Sequence, residues 1–185
     1  MTAHPSILLI EDSPGECELF RAALEKAGLD VTLHTEQDTE AAFRFLESVW
    51  MAPAMVQLRP SSEVLLRARA PGAQDHAGVV HLGRSASTGN QSGLPSLILL
   101  DWHLRNQQGD GFLRLLRADH RLASIPVVIF STSDASSDLA VAYANGANGY
   151  VVKPGLFAEL VHCVGDLCRY WLDRNRTPYK IEIQC

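Results

Sequence analysis

The stretch Leu97-Ile98-Leu99-Leu100-Asp101 decides how this chain is read. Four apolar residues in a row, with no polar alternation, suit a strand buried on both faces, as in a parallel sheet covered by helices. The run ends in a carboxylate. Ligands of open α/β sheets bind at the carboxyl ends of the strands, so Asp101 is a candidate for chemistry. A lone aspartate at a strand end is more often a helix cap, and its company has to decide.

Working outward, Ile7-Leu8-Leu9-Ile10, Val127-Val128-Ile129-Phe130 and Tyr150-Val151-Val152 are runs of the same kind, with a weaker one at Val31-Thr32-Leu33. Helical patterns lie between them. Ser13 is an N-cap residue, Pro14 suits the first helical position and Glu16 completes a capping box. Phe20, Ala23, Leu24 and Ala27 follow at helical spacing, and Gly28 stops the helix. A second helix is expected after Asp38, burying Phe43, Leu46, Val49 and Trp50. A third carries Phe112, Leu115 and Leu116. A fourth spans Leu139 to Ala144 and stops at Asn145-Gly146. A fifth carries Phe157, Leu160, Val161, Val164, Leu167, Cys168 and Trp171. The order βαβα, an interruption, then βαβαβα predicts a doubly wound, flavodoxin-like α/β fold. Right-handed crossovers make a five-stranded parallel sheet of order 2-1-3-4-5 the natural topology.

The interruption covers about 51–95 and holds Pro53, Pro60, Pro71 and Pro95 among Gly, Ser, Ala and Arg. Residues 61–70 suit a short helix and 83–93 a loop. A loop of this length inside a compact domain is either functional or disordered. One domain over 1–172 with this insertion, and a tail at 173–185, is the expected organisation. The chain of 185 residues is 46% hydrophobic and 20% charged, with a net charge of −5. Bulk attraction to nucleic acid or an anionic membrane is therefore not expected. Cys17, Cys163, Cys168 and Cys185 form no C-x-x-C pair and no zinc spacing, and read as reduced thiols of a cytosolic protein. No signal peptide or membrane-spanning run is apparent. His76 and His81 have no ligand cluster near them in the sequence.

The strand ends are where the polar residues gather. Glu11 and Asp12 follow the first strand, Asp101 the third, Ser131 and Thr132 the fourth, and Lys153-Pro154 the fifth. Three carboxylates on one edge repel one another, and a divalent cation relieves that repulsion. All-oxygen donors select a hard ion such as Mg²⁺. A carboxylate can also attack phosphorus to form an acyl phosphate, with a metal and an ammonium group stabilising the phosphoryl oxygens.

These motifs resemble the receiver domains of bacterial response regulators: ILLIEDS at Ile7 to Ser13, LILLDWHL at Leu97 to Leu104, GDGF at Gly109 to Phe112, VVIFST at Val127 to Thr132 and GANGYVVKP at Gly146 to Pro154. The intervals from Asp101 to Ser131 and to Lys153 fit that family too. The resemblance implies that Asp101 is the phosphoacceptor and that Asp12 binds Mg²⁺ directly, with Glu11 assisting. It implies that the backbone carbonyl of His103 is a further metal ligand, its imidazole being incidental. Lys153 would contact the phosphoryl group and precede a cis bond to Pro154. Ser131 would be the switch hydroxyl and Tyr150 the aromatic that turns inward on activation.

A closer likeness is to the single-domain regulators that accompany bacterial phytochromes, with their lengthened segment before the third strand and a tail like Tyr170-Trp171-Leu172 with Pro178. It implies a sensor histidine kinase of bacteriophytochrome type as partner, no DNA-binding output domain, and a homodimer through the face of helix four, strand five and helix five, extended by the tail. The insertion is longer than usual, His103 is uncommon at its position, and the loop from Arg105 to Gln108 lacks a frequent proline. A phosphatase of the haloacid dehalogenase class would need an aspartate where His103 stands. A flavin-binding protein would need a glycine loop after the first strand. A degenerate receiver, binding partners without phosphorylation, is the alternative that the intact Asp101 and Lys153 oppose.

Overall fold

A computed structural model describes residues 5–51, 78–81, 93–105 and 107–176 of the chain. The expected short helix at 61–70, most of the loop at 83–93, His76, Cys185 and the tail beyond 176 lie outside these residues. In chain order the elements are β1 (Ser6–Ile10), α1 (Pro14–Lys26), β2 (Thr32–Glu36), α2 (Thr39–Met51), β3 (Gly78–His81) and β4 (Leu97–Leu100). Then follow β5 (His103–Leu104), β6 (Gln107–Gln108), α3 (Gly109–Ala118), β7 (Val127–Ser131), α4 (Ser136–Ala144), β8 (Gly149–Val152) and α5 (Phe157–Cys168). A π-helical turn, Arg169–Arg174, continues α5.

The main sheet has the order β3-β2-β1-β4-β7-β8. The five strands anticipated from the apolar runs are parallel and occupy the 2-1-3-4-5 arrangement. The sixth, β3, is an addition: it lies antiparallel on β2, with Leu33 opposite Val80. It covers what would otherwise be an unpaired edge. β5 and β6 form a separate two-stranded ribbon just after the central strand, with Leu104 opposite Gln107.

Alternation along the strands splits the core in two. Leu8, Ile10, Ile98, Leu100, Val127 and Ile129 face α2, α3 and α4, where Ala42, Leu46, Phe112, Leu113, Leu116 and Ala142 meet them. Ile7, Leu9, Leu97, Leu99, Val128 and Phe130 face α1 and α5, against Phe20, Leu24, Leu160, Val164 and Leu167. The strands are apolar throughout because both faces are covered. Each such side chain contributes about 1.5–3 kcal/mol on full burial.

Some helix faces differ from expectation. Leu115 and Trp50 are 62% and 41% exposed, and Phe157 is 43% exposed. Leu113, not Leu115, turns inward beside Phe112 and Leu116. Phe157 starts α5 at the sheet's rim, one turn before its buried stripe begins at Leu160. The bond between Lys153 and Pro154 is trans, as is every described peptide bond; trans is the lower-energy isomer even before proline.

Two glycines have a steric reason. Gly28 ends α1 with φ of 67°, the left-handed conformation that glycine adopts without a Cβ penalty. Gly109 begins α3 against the site: a Cβ there would come within 3.0 Å of Leu100 Cδ2 and of the Trp102 ring.

Candidate phosphoacceptor and metal site

The carboxyl ends of β1, β4, β7 and β8 lie side by side because those strands are neighbours in the sheet. Glu11 and Asp12 extend from β1, and the Asp101 N–H donates to the Ile10 carbonyl at 3.0 Å. That bond sets Asp101 level with the acidic pair. One oxygen from each of Glu11, Asp12 and Asp101 lies within 4.8 Å of the others. Asp101 and Asp12 remain partly open, their side chains 13% and 17% exposed, whereas Glu11 is buried at 2%.

Lys153 enters from the end of β8. Its N–H donates to the Ser131 carbonyl at 2.8 Å, which fixes the chain leaving β8 against β7. Its Nζ, also buried, donates to Glu11 Oε2 at 2.5 Å and lies 3.6 Å from Glu16 Oε2 and 3.7 Å from Asp101 Oδ2. Burial alone would pull the lysine down, but the Glu11 hydrogen bond and the charges of Asp101, Glu11 and Glu16 outweigh it, and the ammonium is held above its usual range. Burial pushes the Glu11 carboxyl up, against the pull of Lys153 and of the Ser13 N–H. The two directions have one cause: Glu11 tolerates its charge in the interior only because Lys153 is beside it.

This arrangement alters the expected capping box. Ser13 Oγ accepts from the Glu16 N–H at 3.4 Å, as an N-cap should. The reciprocal bond is made by another residue: the Ser13 N–H donates to Glu11 Oε1 at 3.0 Å, while Glu16 turns to Lys153.

Ser131 ends β7 fully buried and accepts from the Ser133 N–H at 3.4 Å. Tyr150, in β8, is half-buried against the core and its hydroxyl donates to the Ser133 carbonyl at 3.0 Å. Burial pushes its phenol up. Thus Glu11, Asp12, Asp101 and Lys153 come together in one cluster, with Ser131 one strand away and Tyr150 joined to it through the Ser133 loop.

Three residues given no part in the site from the sequence bear on it. Arg105 donates to Asp12 Oδ2 from its backbone N–H at 3.2 Å and from Nε at 3.0 Å. Glu16 adds a fourth carboxylate near Lys153. Asp138, in the first turn of α4, accepts from Ser133 Oγ at 2.6 Å and meets His103 Nε2 at 2.8 Å. The imidazole of His103, expected to be incidental, is therefore engaged. Nothing in the residue pattern marks these contacts, since they depend on how the loops return over the sheet.

The donor set suits a hard divalent cation. It consists of carboxylate oxygens, two of them partly open, with too few fixed positive charges alongside to neutralise three acids. Among the described residues this is the one group of three or more acidic, histidine or cysteine side chains close enough to share an ion.

Comparisons with known proteins bear on the family and the fold. The family model described as "Response regulator receiver domain" matches residues 70–165, more than half of the chain. The probable methanogenesis regulatory protein FilR2 of Methanothrix harundinacea is 34% identical over 172 residues, covering 93% of this chain and 86% of that protein. Response regulator Rcp1 of Synechocystis is 25% identical over 172 residues, covering 93% and 92%. The structure of the Mn²⁺-bound form of Rcp1 superposes with a TM-score of 0.63 at 23% identity, covering 94% of this chain and 99% of that one. The phosphorylated cyanobacterial phytochrome response regulator RcpA superposes with a TM-score of 0.66 at 23% identity, covering 95% and 99%. Both superpositions show the same fold. With the acidic cluster at the strand ends, the family match and the FilR2 likeness establish that this chain belongs to the response regulator receiver domain family.

Proposed function

We propose that Asp101 accepts a phosphoryl group from the phosphohistidine of a sensor kinase. The observation that carries this is the convergence of Glu11, Asp12 and Asp101 within 4.8 Å, with the Lys153 ammonium 3.7 Å from Asp101. An Asp101 carboxylate oxygen attacks phosphorus, an O–P bond forms, the P–N bond to the kinase imidazole breaks, and its electron pair returns to the ring nitrogen. Glu11, Asp12, Asp101 and the His103 carbonyl would hold Mg²⁺, which when bound offsets negative charge on the phosphoryl oxygens. Lys153 supplies a fixed positive charge 3.7 Å from Asp101, next to the phosphoryl oxygens. Ser131 donates a hydroxyl to the product, and Tyr150 follows it inward, repacking α4, β8 and α5.

The receiver domain would then comprise 1–172, acting in the cytoplasm through protein contacts rather than as an enzyme with an external substrate. The likeness to RcpA, a phytochrome response regulator, supports a phytochrome-type kinase as partner. Homodimerisation through the α4–β8–α5 face, extended by 173–185, is the output we favour. No described helix is long and apolar enough to cross a membrane.

Incubation with Mg²⁺ and acetyl phosphate should add one phosphoryl group to the intact mass. The adduct should be absent from Asp101→Asn and absent with a chelator. An unmodified mass, with no response to beryllofluoride either, would leave a receiver that acts without phosphorylation.

A further inference from the structure

We infer that Asp138 is a positioning residue that fastens α4 to the loop following Asp101, and that the imidazole of His103 is the other half of the fastening. The link to metal binding rests on the function proposed above; the fastening itself does not.

α4 is held weakly by other means. Of its residues only Ala142 is buried, and Ala135 at its N-cap offers no side-chain acceptor. A helix start without a side-chain cap leaves its first backbone N–H groups without that acceptor. Asp138 supplies the missing attachment. Its Oδ2 accepts from Ser133 Oγ at 2.6 Å and meets His103 Nε2 at 2.8 Å. The indole of Trp102 is close enough to act on the same carboxylate, and hydrogen bonds from Ser133 and then His103 hold that carboxyl below its usual range.

The partners identify the role. Trp102 and His103 directly follow Asp101, and the His103 carbonyl is a proposed metal ligand. Ser133 carries the other branch: its N–H reaches Ser131 Oγ and its carbonyl accepts from the Tyr150 hydroxyl. One carboxylate on α4 thus touches the loop that would move when the site is loaded and, through Ser133, the loop that hydrogen-bonds to both switch side chains. Linkage then requires reciprocity. If loading the site shifts His103 relative to Asp138, removing Asp138 must change the affinity for the metal.

The test uses the full chain as wild type, Asp138→Ala, Asp138→Asn, His103→Ala and the double alanine variant. Two quantities are measured: amide hydrogen exchange over residues 136–144 in chelator, and the Mg²⁺ dissociation constant by calorimetry. Asp138→Ala and His103→Ala should each speed exchange in the first turn of α4 and shift the dissociation constant by ~3-fold or more in the same direction. The double variant should go little further than Asp138→Ala. Asp138→Asn keeps one acceptor and should fall between wild type and alanine. Exchange at the wild-type rate in His103→Ala, or single-variant effects that simply add, would overturn the inference. A wild type that binds no Mg²⁺ would refute the metal reading instead, while the exchange measurement still decides the fastening.

Discussion

At the scale of the residue, Lys153 and Glu11 show why the site needs both signs of charge. Glu11 is almost fully buried and bonded to Lys153 at 2.5 Å. Breaking a buried pair by deleting one partner costs about 3–5 kcal/mol while the other stays charged. In Lys153→Met, Glu11 can escape part of that cost by taking up a proton. Its carboxyl, already pushed up by burial, should titrate higher still. A carboxyl whose pKa is raised on folding favours the native state at low pH, and that contribution is lost as pH rises from the unfolded value through the folded one. Unfolding free energies from urea titrations in chelator should therefore fall more steeply as pH rises above the usual carboxylate range for Lys153→Met than for wild type, by on the order of 3 kcal/mol at the upper end. Equal slopes would mean that Glu11 is already neutral beside Lys153. Asp12, Asp101 and Lys153 were legible as a group because strand-end polarity brings their chemistry into view without any knowledge of the loops. Arg105, Asp138 and the His103 imidazole were not, because their meeting depends on loop paths that no local pattern encodes.

At the scale of the element, strands were easier to read than helix faces. A run such as Leu97 to Leu100 is buried whichever way it faces, so no choice of side is needed. A helix face needs that choice, and adjacent leucines make it ambiguous. Leu113, Leu115 and Leu116 all lie in α3, and the period alone permits either Leu113 or Leu115 beside Leu116. Packing against β4 and β7 settles it: Leu113 and Leu116 are fully buried, whereas Leu115 is 62% exposed. Leu116→Ala should cost about 2–5 kcal/mol in urea unfolding, and Leu115→Ala within about 0.5 kcal/mol of nothing. Similar losses for both would show that α3 packs on another stripe. β3 escaped notice for a different reason. Its four residues, Gly78 to His81, form an antiparallel edge inside an insertion dominated by turn-forming residues, and so short a run is no stronger than chance.

At the scale of the whole molecule, more than half of the exposed large hydrophobic side chains among the described residues lie on α4, β8 and the start of α5. Leu139 and Tyr143, one helical turn apart on α4, are 42% and 50% exposed; Val152 at the end of β8 is 45% exposed; Leu156 and Phe157 at the start of α5 are 65% and 43% exposed. β8 is also an edge strand of the sheet. Exposed apolar side chains gathered on neighbouring elements are what an association face offers. This is also the face whose seating Asp138 controls through α4, so loading of Asp101 and association should be coupled. Because Tyr150 is tied to the Ser133 loop in the structure, its inward turn would release that loop and let α4 settle differently. Sedimentation velocity with Mg²⁺ and beryllofluoride should show a larger dimer fraction than without them. Tyr143→Glu, which places a charge on α4 outside the acidic cluster, should abolish that increase while leaving beryllofluoride binding intact. A dimer fraction that responds to neither beryllofluoride nor Tyr143→Glu would place the association elsewhere on the molecule and leave the α4–β8–α5 face for a different protein.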